Sequence, residues 1–266
     1  MSRLLKFLEG VRRGGEGFGF TARAAAAAPA LAIVVVVPGM RDDLVKAAAR
    51  EGADGIALAV TWEGVQSATA LAAATGAAGD KPVGLLLESP SAEGQPDSGW
   101  WANSGLDFLV VQAEQPAYLL AIEIAKLVSL RLDFDPMQVR ALDGLSVEGF
   151  VVSGEGERAG LTIGDASRYR LLAGATGKPV LAALSEATSR AELQALSQAG
   201  VDGIVLLPAA LGSDAASAGG SVAGVKAEIA RLGPRRTGRN RTGQAVPLLP
   251  RVGPGLPPEG QEERGR

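Results

Sequence analysis

Eight short apolar runs recur along this 266-residue chain at a nearly even spacing. They are Ala32–Val37, Gly55–Val60, Val83–Leu87, Phe108–Val111, Leu127–Leu132, Gly149–Val152, Val180–Leu184 and Gly203–Leu207. Most gaps between them hold a helix-like stretch rich in Ala, Leu, Glu and Arg. Alternating strand and helix signals are typical of a parallel sheet. Eight such units in a chain near the roughly 250 residues of one barrel domain predict a closed (β/α)8 barrel.

Hydrophobic periodicity and composition divide the sequence into three segments. In residues 1–30, Leu4, Leu5, Leu8 and Val11 fall on one helical face and a Gly/Ala-rich connector follows. The favoured interpretation is a helix that closes the bottom of the barrel, and the alternative is a basic membrane-surface helix. Residues 31–232 form the predicted barrel. Residues 233–266 are rich in Pro, Gly and Arg without periodicity, which predicts a disordered tail.

The chain contains no cysteine and no histidine. This composition excludes disulfides, thiolate metal sites, Cys nucleophiles and the Ser-His-Asp triad, and it removes the commonest metal ligand. Any catalytic chemistry must therefore use carboxylates, Lys, Arg, hydroxyls, backbone dipoles or a bound cofactor. We expect a cytoplasmic protein, since a chain without cysteine suits a reducing compartment. No stretch reaches the roughly 18–20 apolar residues of a membrane span.

Charge is unevenly distributed although the net charge is only −3. Residues 233–266 hold seven Arg and three Glu, so the rest of the chain is acidic. An acidic barrel argues against a nucleic-acid-binding face. The arginines of the tail are interpreted as solvated rather than as a contact surface.

Polar residues cluster where strands 3 to 6 end, which is the end of a barrel that carries active sites. They are Glu88, Gln112, Glu114, Arg131, Asp133, Ser153 and Glu155. Each lies on the same strand face as the residue two positions before it. If those faces point inward, the catalytic candidates are Glu88, Glu114, Arg131, Asp133 and Glu155.

Two roles are expected of these candidates. Glu88 and Asp133 could hold Mg²⁺ through carboxylate oxygens, and Arg131 could clamp a carboxylate or phosphate of a small anionic metabolite. The alternative is a polar rim in which Arg131 pairs with Asp133 or Glu155.

A second candidate site follows strand 8, where Gly219, Gly220 and Ser221 are predicted to open the last helix. Many barrels bind phosphate with the loops after strands 7 and 8 and a helix amino terminus. These three residues are therefore the predicted phosphate or cofactor site, for which FMN is a weaker expectation than a phosphorylated metabolite.

Repeated turns precede several strands: Ala53-Asp54-Gly55-Ile56, Val201-Asp202-Gly203-Ile204 and Gly177-Lys178-Pro179-Val180. They resemble the turns of aldolase-type and phosphate-binding TIM barrels, and the resemblance covers residues 30–232. It implies the barrel fold and places Asp54, Asp202 and Lys178 on the face that serves stability. The histidine of some flavin-dependent members and the Schiff-base lysine of class I aldolases have no counterpart here. Magnesium-dependent lyases, which use an Arg with Glu and Asp, are chemically closer.

Three functional hypotheses remain from the sequence. The first is a metal-assisted lyase or isomerase that acts on a small phosphorylated or carboxylated metabolite. The second is a non-catalytic barrel that binds a ligand or a protein partner, and the third is an FMN-dependent oxidoreductase. The substrate and the oligomeric state stay open.

Overall fold

The computed structural model of the chain describes residues 2–14, 28–61, 68–88, 98–154, 160–186 and 188–233. The strands are β1 Ala32–Pro38, β2 Gly55–Val60, β3 Val83–Leu87, β4 Phe108–Gln112, β5 Ala125–Arg131, β6 Gly149–Ser153, β7 Val180–Leu184 and β8 Gly203–Leu206. The α-helices are α1 Arg3–Arg12, α2 Asp42–Glu51, α3 Ala68–Ala77, α4 Ser98–Asn103, α5 Pro136–Asp143, α6 Ile163–Ala175, α7 Arg190–Ala199, α8 Pro208–Leu211 and α9 Ala215–Ala230.

The eight strands form a closed parallel barrel in sequence order, with β8 paired to β1. The predicted fold class and the amino-terminal helix are therefore confirmed. Most of the connector and the tail from residue 234 lie outside the described residues. Within the described ranges, no helix is long and apolar enough to cross a membrane.

The unit after β4 differs from its prediction. The sequence indicates a helix over Pro116–Ile124, whereas the chain forms a five-residue 3₁₀ helix, Ala117–Ala121. Gln115 shapes this turn, since its Oε1 accepts from the N–H of Gln112 and its Nε2 donates to Leu87 O.

The barrel lumen is filled by side chains from alternate strand positions. Phe108 is fully buried there, and a Cβ on Gly84 would lie 2.5 Å from its ring. The glycine on β3 thus makes room for the aromatic ring on β4. The outward-facing alternate residues, such as Ile33 and Val35, pack in a separate cluster with the surrounding helices. The lumen is therefore a packed core, as expected of such barrels.

Helix α1 closes the amino end of the lumen with Leu4, Leu5, Leu8 and Val11. Its first turn is held by Asp107, whose carboxylate accepts from the N–H of Arg3 at 2.8 Å and of Leu4 at 3.0 Å. A carboxylate at this position satisfies N–H groups that a helix start leaves unpaired. The burial of α1 supports the bottom-closing interpretation over the membrane-surface one.

Three further carboxylates bond to the backbone at the same end. Asp54 accepts from Ile33 N at 2.9 Å, Glu148 from Lys126 N at 2.6 Å, and Asp202 from Val180 N at 3.0 Å. Each precedes an even-numbered strand and bonds to the odd-numbered strand beside it. Burial raises the pKa of Asp54. The expected structural role of Asp54 and Asp202 agrees with these bonds.

Candidate functional site

The register of β3 to β6 brings the predicted residues to the carboxyl end of the lumen. Val110, Leu127 and Val151 belong to the lumen core, so the alternation puts Gln112, Arg131 and Ser153 on the inward face. Arg131 and Ser153 are direct partners in the β5–β6 register. The predicted inward orientation of these strand faces is therefore correct.

Two of the predicted residues form an ion pair at the rim. Arg131 Nε lies 3.2 Å from Asp133 Oδ1, with side chains 72% and 45% exposed. This is the rim pair that the sequence offered as the alternative to an anion clamp. Exposed pairs of this kind contribute about 0–1 kcal/mol.

The structure describes two of the other three predicted acids. Glu88 follows β3 directly and is exposed, as is Glu114. Glu155 lies outside the described residues. Among the residues that the structure describes, no three His, Cys, Asp or Glu side chains come together to hold a metal ion. Metal binding by Glu88 and Asp133 stays a prediction.

The expected helix start at Gly219, Gly220 and Ser221 is wrong. Helix α9 begins four residues earlier, and its cap is Asp214, whose Oδ1 accepts from Ala216 N and Ser217 N at 2.9 Å each. The N–H groups of the three predicted residues therefore lie inside the helix, where the helix uses them. The carboxylate of Asp214 occupies the place where an anion would approach.

Gly219 has a packing role instead. A Cβ at this position would lie 3.2 Å from Cγ of Glu51 on α2. Gly219 therefore allows α2 and α9 to approach closely, whereas a Cβ on Gly220 would meet no atom within 4 Å.

A pocket of about 450 Å³ opens at the carboxyl ends of β6 and β7. Ser153 ends β6, the loop after β7 contributes Ser185 and Glu186, and Leu207 follows β8. The starts of α6 and α7 complete the wall. We call this cavity the β6–β8 pocket. It occupies the end of the barrel where active sites of this fold lie.

Among the residues that the structure describes, three carboxylates line the β6–β8 pocket, and two of them are used by helix caps. Asp165 Oδ2 accepts from Thr162 N at 3.0 Å and from its hydroxyl at 2.7 Å, which forms the capping box of α6. Glu192 forms the same box with Ser189 on α7 and also accepts from Leu161 N at 2.8 Å. The Ser189 hydroxyl and these N–H groups lower the pKa of Glu192. Both carboxylates therefore stabilise the helix starts that form the pocket wall.

Tyr169 forms part of the base of the β6–β8 pocket. Its hydroxyl donates to Val152 O at 3.1 Å and the residue is 2% exposed. Burial raises the pKa of this phenol. It therefore stays neutral and holds α6 against β6.

Glu186, Arg168 and the hydroxyls of Ser153 and Ser185 are polar groups of the pocket lining that a ligand could contact. Glu186 is exposed and, among the described residues, takes part in no helix cap. Arg168 on α6 lines the same pocket and carries its one lining positive charge among the described residues. Ser153 donates to Leu130 O at 3.3 Å, which leaves its oxygen able to accept. A carboxylate, a guanidinium and hydroxyls can bind an anion and move a proton.

Sequence reasoning missed the β6–β8 pocket as a unit. Neither Glu186 nor Arg168 was among the candidate residues named from the sequence. The available signal was the pair of capping boxes, Thr162 with Asp165 and Ser189 with Glu192, which set helix starts directly beyond two strand ends.

No protein-family model and no curated protein matches the chain. Solved structures do resemble it. A ligand-free mutant form of tryptophan synthase from M. tuberculosis aligns at 15% identity and a TM-score of 0.64, covering 86% of this chain and 99% of that one. An aminoacrylate- and BRD0059-bound form aligns at 16% identity, with a TM-score of 0.64 and coverage of 89% and 99%.

A tryptophan synthase alpha-subunit mutant from Pyrococcus furiosus is also similar, at 12% identity and a TM-score of 0.56, covering 77% of this chain and 98% of that one. Identities this low establish a shared fold. The chain is a closed parallel (β/α)8 barrel that is similar in fold to tryptophan synthase chains.

Proposed function

We propose that this protein is a lyase or isomerase acting on a small carboxylated or phosphorylated metabolite bound in the β6–β8 pocket. The observation that carries the proposal is the presence of Glu186 and Arg168 on the lining of one pocket at the carboxyl end of the barrel. The solved structures that are similar in fold are tryptophan synthases. This similarity favours a reaction that makes or breaks a bond to carbon over the other reactions that barrels catalyse.

Each group has a definite role in this proposal. The Arg168 guanidinium binds the anionic group of the metabolite through paired N–H donors. The Glu186 carboxylate takes a proton from the bound metabolite and returns it at another atom, as a general base and then an acid. Ser153 and Ser185 fix the orientation by hydrogen bonds. Among the described residues, the pocket lining has one arginine and one carboxylate that takes part in no helix cap. This charge pattern suits a metabolite with a single anionic group.

The test is a comparison of binding and turnover in full-length wild type and Glu186→Gln. Carboxylated and phosphorylated metabolites are first screened for saturable stabilisation, and stabilising compounds are then assayed for conversion. The variant keeps binding and loses about 100-fold or more in turnover, the scale of general acid–base catalysis. Glu123→Gln, an exposed acid at the amino end, is the matched control. Unchanged turnover in Glu186→Gln would contradict the assignment.

The second candidate is a barrel that binds the metabolite without converting it. The helix caps formed by Asp165 and Glu192 favour it, since these two of the three described carboxylates of the lining stabilise the fold. Saturable binding with no conversion of any stabilising compound would support this function. FMN belongs in the same screen, because uptake of the flavin with its colour would establish the oxidoreductase hypothesis.

A further inference from the structure

The outer side of helices α5 and α6 carries an apolar surface that the proposed function does not use. Among the residues that the structure describes, four large apolar side chains are exposed, by 46% to 92%. They are Met137, Leu145, Ile163 and Leu171. The first two lie on α5 and just after it, and the other two lie on α6, which packs against α5. None of these four described residues lines the β6–β8 pocket.

The same spacing occurs on both helices. In each pair the two large residues are eight positions apart, and a small exposed residue stands midway, Ala141 on α5 and Ser167 on α6. Residues four apart lie on one side of a helix. Val139 of α5 and Tyr169 of α6 are buried on the opposite side, toward the barrel. We call the four large residues together with Ala141 and Ser167 the α5–α6 face.

Helix α7 shows the ordinary solvent-facing side of a helix in this barrel. At the same spacing it exposes Arg190, Gln194 and Gln198, which are all polar. A helix side that faces water normally carries such residues. A contiguous exposed apolar patch with a polar rim instead marks an interaction site. The α5–α6 face therefore fits a protein surface that covers it.

The pattern of the α5–α6 face is the same in both directions along each helix. A large, a small and a large residue at intervals of four are unchanged when the helix is reversed. A two-fold dimer has this property, because both copies use the same surface patch. With Ser167 at the two-fold axis, two antiparallel copies of α6 approach closely there. Ile163 of each copy then meets Leu171 of the other.

Charged residues follow an order that a reversed second copy complements. Asp135 caps the start of α5, and Asp165 lies in the first turn of α6. Arg140 lies in the last turn of α5 and Arg170 in the second half of α6, and both are exposed. The two helices run in the same direction, because each connects parallel strands of one barrel. In an antiparallel pair, the acidic helix starts of each copy therefore lie toward the arginines of the other.

We infer that the α5–α6 face binds a second copy of this chain in a two-fold dimer. Helices α5 and α6 of each copy pack antiparallel against their own counterparts. Burial of the four large apolar side chains of each copy drives the association, and the charges set the antiparallel orientation. The contact lies outside the β6–β8 pocket and does not rest on the proposed function.

The first experiment measures the average mass of the full chain by analytical ultracentrifugation. The concentrations run from about 1 to about 100 µM, which covers Kd values in the micromolar range. The mass of the wild type rises reversibly from that of one chain toward twice that value. Leu171→Glu raises the Kd by about 30-fold or more, because the two-fold interface buries the new carboxylate twice. Gln194→Glu adds the same charge to the exposed side of α7 and leaves the Kd unchanged.

The second experiment tests the geometry and covers the case in which Leu171→Glu does not fold. The chain has no cysteine, so a single introduced cysteine reports one contact. With oxidised glutathione as the oxidant, Ser167→Cys forms a disulfide-linked dimer, since the two thiols meet at the two-fold axis. Gln194→Cys, at the corresponding midpoint of α7, does not cross-link at the same concentration.

Three results would overturn the inference. The first is a wild type that keeps the mass of one chain at every concentration, which would leave the α5–α6 face to a different protein. The second is a dimer that a folded Leu171→Glu leaves intact. The third is equal cross-linking of Ser167→Cys and Gln194→Cys.

Discussion

At the amino end of the barrel, the carboxylates of Asp54, Glu148 and Asp202 accept hydrogen bonds from the backbone of neighbouring strands. At the carboxyl end, Arg131 and Asp133 form a pair whose side chains are largely exposed, and Glu186 stands beside a pocket. The acids that directly precede β2, β6 and β8 thus bond to the backbone, whereas Asp133 and Glu186 at the carboxyl end are exposed to solvent. The acids that bond to the backbone stabilise the barrel, and the exposed acids are able to contact a ligand.

The two ends also differ in what fills them. Helix α1 packs four apolar side chains against the lumen at the amino end. At the carboxyl end, Ser153, Ala183 and Leu207 are only partly buried. The lumen is thus closed by apolar side chains of α1 at the amino end, whereas partly buried side chains border a pocket at the carboxyl end.

The largest effect on the free energy of unfolding is expected from a substitution that leaves a cavity in the barrel lumen, which extends between the two ends. Phe108→Ala removes a fully buried ring and should lower the free energy of unfolding by about 3–5 kcal/mol, through lost burial and a cavity. Chemical denaturation measures it. Gln194→Ala, at an exposed side chain of α7, is the control and should stay within about 0.5 kcal/mol. Equal losses would mean that the lumen is not the core.

A smaller effect compares the same substitution at both ends. Asp202→Ala leaves the buried N–H of Val180 without its acceptor and should cost about 1–3 kcal/mol. Asp133→Ala removes an exposed ion pair and should cost less than about 1 kcal/mol. Unfolding curves of the two variants, recorded side by side, test the contrast. A larger loss for Asp133→Ala would reverse it.

The smallest effect concerns pH and the wall of the β6–β8 pocket. The pKa of Glu192 is lower in the folded protein than the usual 4.5. Its stabilising contribution is therefore present above pH 4.5 and is lost as the pH falls through the folded pKa. Glu192→Gln should lower stability at pH 7 by less than about 1 kcal/mol and flatten this acid dependence. An identical change in Glu123→Gln would show that the cap is not the cause.

The strands were predictable because buried parallel strands are short apolar runs, and the eight runs match the eight strands closely. The inward face of β4 to β6 also followed from alternation. The start of α9 did not, because Asp214 with Ser217 and the later Gly219-Gly220 both look like helix starts, and the choice depends on packing against α2.

The pocket could not be derived from local pattern, since it is formed where two helix starts meet three strand ends. Neither Glu186 nor Arg168 belongs to a motif that marks it in the sequence. The ion pair of Arg131 with Asp133 was foreseen as one of two outcomes, because residues two apart at a strand end lie on the same face.

The most direct test of the account is a thermal-shift titration of wild type, Arg168→Gln and the control Lys46→Met, at an exposed lysine of α2, with a panel of carboxylated and phosphorylated metabolites. The account predicts that at least one compound stabilises the wild type saturably, and that this stabilisation is lost in Arg168→Gln and kept in Lys46→Met. A panel that shifts nothing, or stabilisation that survives in Arg168→Gln, would contradict a functional site at the carboxyl end.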